Sequence, residues 1–499
     1  MMTELEFKSL AAQGFNRIPL ISEAFADLET PLSLYLKLCA SGAGGGKNSF
    51  LLESVVGGER FGRYSFIGLP ARTVLKSHGR ITEVTTDGQL TERHEGDPLA
   101  FIEAYQKRFK VALRPGMPRF CGGLAGYFGY DAVRYIEPKL AKTEKPGGLN
   151  TPDVMLLQCE ELAVIDNLSG RLYLIVYADP AQPESYFRAQ KRLTALRDQL
   201  TYSVSAPQVK RVQPHPVERE FAKADYLAGV LKAKEYIASG DAMQIVFGQR
   251  LRKRYTESPL SLYRALRSLN PSPYMYFYDM GDFQIVGASP EILVRQEAAV
   301  AGLAGQQTVT IRPLAGTRPR GATTELDHAL EAELKADPKE RAEHLMLIDL
   351  ARNDLGRISE TGSVKVTDAF AVERYSHVMH IVSNVEGQLR QGLSSMDVFR
   401  ATFPAGTLSG APKIRAMEII DELEPVKRGI YGGACGYLSF AGDMDLAIAI
   451  RTGIVQDQTL YVQAAAGVVA DSVPELEWAE TEHKARALIR AAELVEEGF

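Results

Sequence analysis

The chain has 499 residues, of which 45% are hydrophobic, with 57 Lys and Arg residues against 62 Asp and Glu residues. This length allows a large buried core and gives a prior of about three domains. The formal net charge of −5, with the two signs well mixed, argues against binding to nucleic acids or acidic membranes.

The cysteines and the N-terminus favour a soluble cytoplasmic protein. No Cys-x-x-Cys pair occurs, and the cysteines are spaced as is typical of reduced, buried thiols. They are Cys39, Cys121, Cys159 and Cys435. The first residues, MMTELEFKSL, lack the basic and apolar stretches of a signal peptide. No run approaches the ~20 apolar residues of a membrane span.

The first half of the chain is predicted to be rich in strands. Residues 162–178 have the pattern of a hairpin, and the charged stretch 181–200 that of a helix. The polar segment 203–221 contains proline, has no periodicity and marks the clearest boundary. After it, an apolar repeat from Tyr226 predicts a helix that stops at Gly240.

The second half mixes strands and helices without strict β-α-β alternation. It has no GxGxxG and no phosphate-binding loop, which argues against a nucleotide-binding α/β fold. Short turns such as 280–282 imply antiparallel pairing. Strands are predicted at 243–251, 274–280, 283–295, 376–385, 431–440, 446–455 and 459–465. Helices are predicted at 260–269, 325–352, 410–422 and 473–496.

The helix PKERAEHLMLIDLARND, residues 338–354, begins with stacked carboxylates. Asp337 has the position of an N-cap, and Glu340 three residues later completes a capping box. Glu343 lies on the same face as Glu340, just before an apolar run at 345–350 that predicts a buried helix. For one such pair alone, a capping or solvated role is the commoner explanation.

The same pattern recurs near the C-terminus in DSVPELEWAETEHKA. Ser472 and Glu475 have the spacing of a capping box, and Glu477 and Glu480 follow three residues apart. Two helices with such starts suggest a shared Mg²⁺ ion. This ion takes hard oxygen ligands and keeps several waters, so one or two carboxylates from each helix suffice.

Several predicted strands contain one polar side chain among small or apolar neighbours. Arg451 is expected on the same face as Ala447 and Ala449, which leaves room for a carboxylate that the guanidinium can bind. His380 lies in an apolar strand, where a histidine is more often a hydrogen-bonded core residue. Glu291 follows a Ser-Pro break, where a glutamate is usually a surface or turn residue.

The segment FPAGTLSGAPKIRAMEII contains a further candidate for anion binding. Ser409, after Gly406 and Thr407, is a plausible N-cap, and the backbone N–H groups of such a helix start can bind an anion. The alternative is an ordinary capped turn. Together, an arginine, a helix N-terminus, a histidine, a glutamate and a metal suit a small polyanionic acid with a leaving group.

The sequence resembles the chorismate-utilising enzymes, in particular the anthranilate synthase component I (large subunit) branch of that family. The resemblance covers nearly the whole chain and is dense in DAMQIV, NPSPYMYF, GASPEILVR, RPLAGTRPRG, AEHLMLIDLARNDLGR, FPAGTLSGAPK and DSVPELEWAETEHKA. It implies an α+β fold, an αββα-type sandwich of two packed, mostly antiparallel sheets covered by helices. It also implies an N-terminal region with a regulatory site at 16–165, a connecting segment at 166–218 and a chorismate-binding catalytic domain at 219–495.

The activity that the resemblance implies is that of a carbon–oxygen lyase. Mg²⁺-dependent amination of chorismate by ammonia would be followed by loss of pyruvate to give anthranilate, the first step of tryptophan biosynthesis. Glu343 and Glu480 would hold the Mg²⁺, with Glu340 and Glu477 close by or acting through water. The ion would bind the ring carboxylate of chorismate.

The resemblance also assigns the residues that would bind the rest of the substrate. Arg451 and Tyr431, with the backbone near Gly467, would bind the enolpyruvyl carboxylate. Thr407 and Lys484 would help to position the substrate. Three further substrate-binding residues are implied, namely Ala315, Gly316 and Thr317.

Four residues would decide the reaction. Glu291 would protonate the departing C4 hydroxyl as a general acid, and we expect neighbouring carboxylates to raise its pKa. His380 would serve the second step, in which pyruvate leaves and the ring becomes aromatic. Gln244 stands where water-using relatives have a lysine as general base, which neutral ammonia does not need. Ala315 stands where aminodeoxychorismate synthase has a lysine, so ammonia would attack C2 directly.

A partner and a regulatory site are implied as well. The chain has no Gly-x-Cys-x-Gly elbow, and GACGYL around Cys435 lacks that pattern. Ammonia would therefore come from a separate glutamine amidotransferase (glutaminase) subunit, in a heterotetramer of two large and two small subunits.

The segments LLES and NPSPYM resemble the tryptophan-binding elements of feedback-inhibited members of the family. On spacing alone, a strand end and a proline-rich turn would explain them. The residues implied to bind tryptophan are Glu53, Ser54, Asn270, Pro273, Tyr274 and Met275.

Several alternative functions stay open at this level. Aminodeoxychorismate, isochorismate and salicylate synthases share the carboxylates, and another relative would stop at the aminated intermediate. A tryptophan-responsive binding protein with a dead active site belongs to a different class. The intact carboxylates, Arg451 and His380 argue against it.

Overall fold

Two large sheets lie face to face, and helices cover their outer faces. The computed structural model describes residues 2–40, 46–54, 62–142, 145, 147–298, 306–375 and 378–499. Within these ranges every pair of sheet strands is antiparallel. The predicted α+β sandwich of antiparallel sheets is confirmed.

The first sheet contains strands from both the N-terminal and the C-terminal halves of the chain. In spatial order it consists of β1 (Ile18–Phe25), β10 (Arg171–Ala178), β9 (Glu161–Asp166), β3 (Tyr64–Gly68), β2 (Ser49–Glu53), β13 (Tyr274–Asp279), β14 (Gln284–Ser289), β23 (Thr452–Gln456), β24 (Thr459–Val468), β12 (Gln244–Arg254) and β11 (Val217–Arg219), with β20 (Gly410–Ala411) paired to β12.

The second sheet faces the first across a layer of aromatic side chains. In spatial order it consists of β17 (Leu314–Pro319), β19 (Val378–Gln388), β16 (Thr308–Ile311), β15 (Ile292–Glu297), β22 (Met444–Ile448), β21 (Ala434–Ser439), β7 (Gly123–Phe128), β8 (Val154–Cys159), β4 (Thr73–His78), β5 (Ile81–Thr86) and β6 (Gln89–Glu95), with β18 (Lys365–Arg374) paired to β19.

Helices pack on the outer faces of both sheets. In the part of the chain that the structure describes, no helix combines the length and the apolar character needed to cross a membrane. The α-helices are α1 (Glu4–Ala12), α2 (Pro31–Tyr35), α3 (Pro98–Gln106), α4 (Ser185–Leu200), α5 (Lys223–Ala238), α6 (Pro259–Leu269), α7 (Thr324–Ala336), α8 (Pro338–Gly356), α9 (Ser395–Thr402), α10 (Lys413–Leu423) and α11 (Pro474–Glu497).

The N-terminal and C-terminal halves of the chain contribute strands to both sheets. In the first sheet β2 pairs with β13, and in the second β7 pairs with β21. The predicted connecting segment also contains β10 of the first sheet and α4, which packs on β10. The regions 16–165 and 219–495 thus share both sheets, and the domain boundaries stay a prediction.

The predicted strand 283–295 is wrong, because the chain changes sheets inside it. Its first part is β14 in the first sheet and its second part is β15 in the second sheet. The crossing lies at Pro290 and Glu291. The proline ends the pairing, since it has no N–H to donate to a ladder.

The predicted strand 446–455 is wrong for the same reason. It divides into β22 in the second sheet and β23 in the first. Arg451 lies between them with φ of 50°, in the left-handed region that a strand residue does not adopt. The prediction that Arg451 lies on the same strand face as Ala447 and Ala449 is therefore wrong.

The predicted helix 325–352 is two helices. The Asp337 side chain accepts hydrogen bonds from the backbone N–H groups of Lys339 and Glu340, so α8 begins there, with a proline in its first turn. The buried character expected of α8 is only partly correct, because Leu345 is 52% exposed whereas Leu347 is buried. The helix is amphipathic.

Two predicted helix caps are wrong. Ser472 does not cap α11; its hydroxyl accepts a hydrogen bond from the Val469 N–H at 3.0 Å. Ser409 does not cap α10, since its hydroxyl donates to the Ala405 carbonyl at 3.0 Å and the helix begins only at Lys413. The anion site predicted at a helix N-terminus after Thr407 is therefore not formed.

Other predicted elements are confirmed with small shifts at their ends, including the hairpin 162–178 and the helices 260–269 and 473–496. Residues 376 and 377 of the predicted strand 376–385 lie outside the described residues, and the rest belongs to β19.

Candidate active site

A cavity of about 590 Å³ is lined by strands of both sheets and by the first turns of α8 and α11. All the residues predicted to act in catalysis, to bind substrate or to hold metal line it. They are Gln244, Glu291, Ala315, Gly316, Thr317, Glu340, Glu343, His380, Thr407, Tyr431, Arg451, Gly467, Glu477, Glu480 and Lys484. The fold therefore brings together residues that are up to 240 positions apart in the sequence (484 minus 244).

The two acidic helix starts form one side of the cavity. Burial and the charge of Glu343 raise the pKa of Glu340. Burial, followed by the charge of Glu480, raises the pKa of Glu477, against a hydrogen bond from Ser472 that lowers it. These shifts indicate that negative charge is crowded on this side of the cavity.

Cations compensate this negative charge only in part. Lys484 Nζ lies 2.6 Å from Glu480 Oε1, and Arg318 Nη1 lies 3.4 Å from Glu340 Oε1. Among the residues that the structure describes, Glu343 has no ion-pair partner, and its Oε1 accepts a hydrogen bond from Gln244 Nε2 at 3.5 Å. A cation placed among these carboxylates would relieve their repulsion.

The carboxylate oxygens are of the kind that Mg²⁺ prefers, but they do not form a complete coordination shell among the described residues. Within the described ranges, no three His, Cys, Asp or Glu side chains lie close enough together to bind one metal ion. Mg²⁺ commonly keeps several waters and takes only one or two protein carboxylates together with oxygens of the substrate. The metal assignment stays a prediction that the donor chemistry supports.

Glu291 lies at the crossing between β14 and β15 and is only 7% exposed. Burial raises the pKa of its carboxyl to about 8, although a hydrogen bond from Thr407 and the charges of Lys484 and Arg451 lower it. The Thr407 hydroxyl donates to Glu291 Oε1 at 3.2 Å. Repulsion from carboxylates, the cause expected from the sequence, is not the reason. At neutral pH Glu291 can therefore hold a proton and donate it.

His380 is neutral with a defined tautomer. Burial lowers the pKa of its imidazole to about 4. Its Nδ1 lies 2.9 Å from the Gly316 carbonyl oxygen and 3.1 Å from Thr317 Oγ1. A carbonyl can only accept, so Nδ1 carries the hydrogen and Nε2 has the free lone pair. His380 can therefore accept a proton at Nε2.

Arg451 provides a half-buried positive charge in the same cavity, where the negative charges of Glu480 and Glu291 act on it. Burial lowers the pKa of its guanidinium, which stays cationic at neutral pH. No carboxylate of the described residues lies within ion-pair distance of it. A Cβ at Gly467, which also lines the cavity, would come within 2.7 Å of Gln244 Nε2, so a larger residue there would displace the Gln244 side chain. Arg451 is thus placed to bind an anionic ligand.

Arg428, which the sequence did not single out, holds three segments of the cavity wall. Its guanidinium donates to the carbonyl oxygens of Leu408 at 2.6 Å and Val246 at 2.7 Å, and it pairs with buried Glu424 at 2.6 Å. Its charge also lies 5.7 Å from the ring centre of Tyr431. Arg428 therefore positions the wall without facing the ligand.

Three further polar or charged residues line the cavity although the sequence did not indicate them: Lys339, Gln463 and His483. Gln463 carries the signal that indicated Arg451 and His380, a polar side chain among small and apolar residues in a strand, VQAAAG. Lys339, in the first turn of α8, and His483, at an exposed position of α11, carry no such signal, because polar and charged residues on the outer faces of helices are common.

A second, smaller cavity of about 70 Å³ contains five of the six residues predicted to bind tryptophan. Asn270 does not line it and lies at the C-terminal end of α6. The five that do are Glu53, Ser54, Pro273, Tyr274 and Met275. Glu53 pairs with Arg267, 2.7 Å away. The two cavities have no lining residue in common.

Comparison with known proteins agrees with this geometry. A sequence profile described as chorismate binding enzyme matches residues 50–490. The chain is 57% identical to anthranilate synthase component 1 of Neisseria meningitidis serogroup A, over 100% of both chains. It is 46% identical to the protein of the same name from Aquifex aeolicus, over 97% of both.

The fold is also similar to that of a solved crystal structure. The crystal structure of anthranilate synthase component I from Streptococcus pneumoniae superposes with a TM-score of 0.76 at 37% identity, covering 94% of this chain and 99% of that one. The chain belongs to the family of chorismate binding enzymes. The resemblance found in its sequence to component I of anthranilate synthase is confirmed.

The raised pKa of Glu291 predicts how replacing this residue affects stability at different pH values. The folded pKa of about 8 lies above the ordinary 4.5, so the folded state loses stability as the pH rises between these values. Glu291→Gln removes this loss. Its midpoint of thermal unfolding should therefore exceed that of the unaltered chain by an amount that grows from about pH 5 to about pH 8.

The matched control is Glu95→Gln, which changes an exposed carboxyl at the end of β6. Its midpoint should differ from that of the unaltered chain by a small amount at every pH. A constant difference for Glu291→Gln across the same range would contradict the assigned pKa.

Proposed function

We propose that the chain is the large subunit of an anthranilate synthase, which converts chorismate and ammonia to anthranilate, pyruvate and water. One observation carries the proposal. Buried Glu291, protonated at neutral pH, faces the same cavity as two acidic helix starts and Arg451, for which the described residues provide no ion-pair partner. Relatives named anthranilate synthase component 1, similar over their full length, support it.

The cavity is lined by both cationic and acidic side chains, and chorismate has two carboxylates that could bind at different places in it. Arg451, with Tyr431 and the backbone near Gly467, suits the enolpyruvyl carboxylate, because a guanidinium binds a carboxylate through two parallel hydrogen bonds. The ring carboxylate then lies toward Glu343 and Glu480. When bound there, Mg²⁺ would supply the positive charge that lets a carboxylate approach these acids.

In the first step a bond forms between ammonia and C2 of the ring, and the bond between C4 and its hydroxyl breaks. Glu291 donates its proton to the departing oxygen, which leaves as water. The Thr407 hydroxyl, 3.2 Å from Glu291 Oε1, holds the carboxyl in place. Gln244 donates to Glu343 through Nε2, so its carbonyl oxygen can accept a hydrogen bond from an N–H of ammonia.

In the second step the aminated ring loses pyruvate and becomes aromatic. The C2 hydrogen leaves as a proton, the bond between C3 and the enolpyruvyl oxygen breaks, and the enolpyruvyl methylene gains a proton to give pyruvate. His380 Nε2 is the base that suits the C2 proton, because its imidazole is neutral and Nδ1 is committed to the Gly316 carbonyl.

Two neutral side chains favour amination at C2 over the related reactions. An amide at Gln244 cannot deprotonate water, whereas neutral ammonia already has a free lone pair. Alanine at 315 cannot form a covalent adduct with the ring, so the amino group enters directly at C2. Both residues line the cavity.

We place the reaction in the cytoplasm, which the four buried free thiols support.

The experiment that tests the proposal is incubation of the purified chain with chorismate, ammonium and Mg²⁺. Chromatography should detect anthranilate and pyruvate in equal amounts, and chelation of Mg²⁺ should stop their formation. A dominant 4-amino product, or isochorismate formed in the presence of ammonium, would overturn the proposal.

Variants separate the two steps. Glu291→Gln lacks the proton donor and should reduce amination by about a hundredfold or more, the usual contribution of a general acid. His380→Phe should release the aminated intermediate in place of anthranilate. Glu480→Gln should abolish activity without unfolding the chain. Near-normal turnover of Glu480→Gln at saturating Mg²⁺ would exclude the metal assignment.

We also propose that a glutaminase subunit docks over the mouth of the cavity. Exposed apolar side chains flank residues that line it: Met243 (64% exposed) precedes Gln244, and Leu476 (66% exposed) precedes Glu477. Val473, which immediately precedes α11, and Leu345, two residues after Glu343 on α8, are also exposed. Exposed apolar side chains next to cavity-lining residues suit contact with a protein partner, and a partner bound here would keep ammonia from escaping to solvent.

This docking predicts different effects on the two nitrogen sources. Met243→Lys and Leu476→Arg should lower glutamine-dependent formation of anthranilate by about tenfold or more, because charges at the centre of an apolar interface oppose binding. The ammonium-dependent rate should change little. Leu28→Arg, at a leucine that is exposed outside the cavity rim, is the control and should affect neither rate. Glutamine-dependent activity of the isolated chain would contradict the need for a partner.

We further propose that tryptophan inhibits the enzyme from the smaller cavity. Its volume of about 70 Å³ holds a few waters, so an indole side chain requires the lining residues to rearrange. Such a rearrangement is a means of coupling this cavity to the catalytic one, since coupling needs two states that differ in affinity.

Ser54→Phe should fill the smaller cavity and raise the tryptophan concentration for half-inhibition by about tenfold or more. The uninhibited rate should change little, since Ser54 does not line the catalytic cavity. Asn270→Ala is the comparison, and its position outside the cavity predicts unchanged inhibition. Inhibition that persists in Ser54→Phe and competes with Mg²⁺ would place tryptophan in the catalytic cavity.

A further inference from the structure

Gln463 is a buried side-chain amide for which the described part of the chain provides no hydrogen-bond partner. It lies on β24, is only 6% exposed and lines the catalytic cavity. Its Oε1 is closed off without a hydrogen-bond partner, and no partner of its amide nitrogen occurs among the described residues. Buried polar groups are almost always satisfied, so an amide nitrogen beside a cavity and without a partner among the described residues is a donor that a ligand can use.

The strand register places Gln463 beside the Arg451 end of the cavity. Val462 pairs with Gly453 of the neighbouring strand β23, so Gln463 lies next to the start of that strand, which Arg451 immediately precedes. Along β24, Gln463 shares one face with Ala465 and Gly467, which also line the cavity. The small residues leave the amide as the polar group of this face.

A carboxylate bound by Arg451 has more acceptor capacity than one guanidinium uses. Each carboxylate offers about four lone-pair positions, whereas a bidentate arginine fills two. An uncharged N–H donor beside the arginine can fill another without adding a second buried charge. The side-chain nitrogen of Gln463 is such a donor.

We propose that Gln463 donates a hydrogen bond to the enolpyruvyl carboxylate of the substrate and is a specificity-determining residue for that end of the molecule. The inference rests on the proposed function, because it takes the substrate and its orientation from there. It assigns Gln463 to the part of the substrate that leaves as pyruvate, and not to the ring.

Two variants test this assignment through steady-state kinetics and product inhibition. Gln463→Leu keeps the volume and removes the donor, and Gln463→Asn keeps the amide but shortens its reach. Both should raise KM for chorismate by about tenfold or more, the usual effect of losing a hydrogen bond to a charged group. The accompanying change in kcat should be smaller, since the amide touches no bond that forms or breaks in the amination step.

Product inhibition identifies the end of the substrate that Gln463 contacts. Pyruvate should inhibit both variants more weakly, by a factor close to the change in KM. Inhibition by anthranilate, which retains only the ring carboxylate, should be unchanged. A general distortion of the cavity would weaken both inhibitors together and would overturn the proposal.

Gln296→Leu is the matched control. Gln296 is also buried, on β15, with an unpartnered Oε1, and it does not line the cavity. This control should leave KM and both inhibition constants unchanged, whatever the loss of a buried amide does to stability.

The outcomes separate the two proposals. If the unaltered chain made no anthranilate from chorismate, ammonium and Mg²⁺, both the proposed function and the assignment of Gln463 would be wrong. If it did, and folded Gln463→Asn or Gln463→Leu retained the unaltered KM and pyruvate inhibition, only the assignment of Gln463 would be wrong.

Discussion

The site depends on one constraint of the fold, the two places where the chain passes from one sheet to the other. The passage from β14 to β15 carries Glu291, and the passage from β22 to β23 carries Arg451. The two run side by side, since β14 pairs with β23 and β15 with β22. They also satisfy each other: Ile448 N–H donates to the Glu291 carbonyl at 3.0 Å, and Ala288 N–H to the Arg451 carbonyl at 3.1 Å. Buried backbone groups outside a ladder need such partners, so the crossings hold the acid and the cation in a fixed relation.

Burial at these crossings, rather than a neighbouring charge, supplies the chemistry. Removing Glu291 from water favours its protonated form, and the same effect keeps His380 neutral. The positive charges nearby oppose the shift of Glu291 without reversing it. The Arg428–Glu424 pair, also buried, holds the wall around them. Such a pair gives little net stability compared with apolar packing, but removing one partner leaves an uncompensated charge. We therefore interpret it as a device that fixes geometry.

The sequence predicts which residues line the site better than it predicts the backbone elements that place them there. Spacing indicated Glu343 and Glu480, and the resemblance supplied Tyr431 and Gly467, all of which line one cavity. The crossings were missed because a strand that changes sheets keeps its apolar pattern, and Pro290 alone does not show where the next partner lies. The caps at Ser409 and Ser472 were mispredicted because serine hydroxyls also bond to nearby backbone groups, and tertiary structure decides which. Gln463 was not predicted, because the neighbouring sequence does not show whether a buried amide has hydrogen-bond partners in the folded chain.

The smaller cavity is built on the same strands as the crossings. Tyr274, on β13, donates to Asp445 Oδ1 at 3.1 Å, and Arg295 pairs with Asp445 at 2.8 Å. Asp445 belongs to β22, which leads to Arg451, and Arg295 belongs to β15, which begins beside Glu291. An occupant that displaced Tyr274 would have to break this buried network, because the cavity is too small to accept a large side chain unchanged. Packed interiors shift between discrete arrangements rather than deforming continuously. The strands that carry Arg295 and Asp445 therefore connect the lining of the smaller cavity to the segments that carry Glu291 and Arg451.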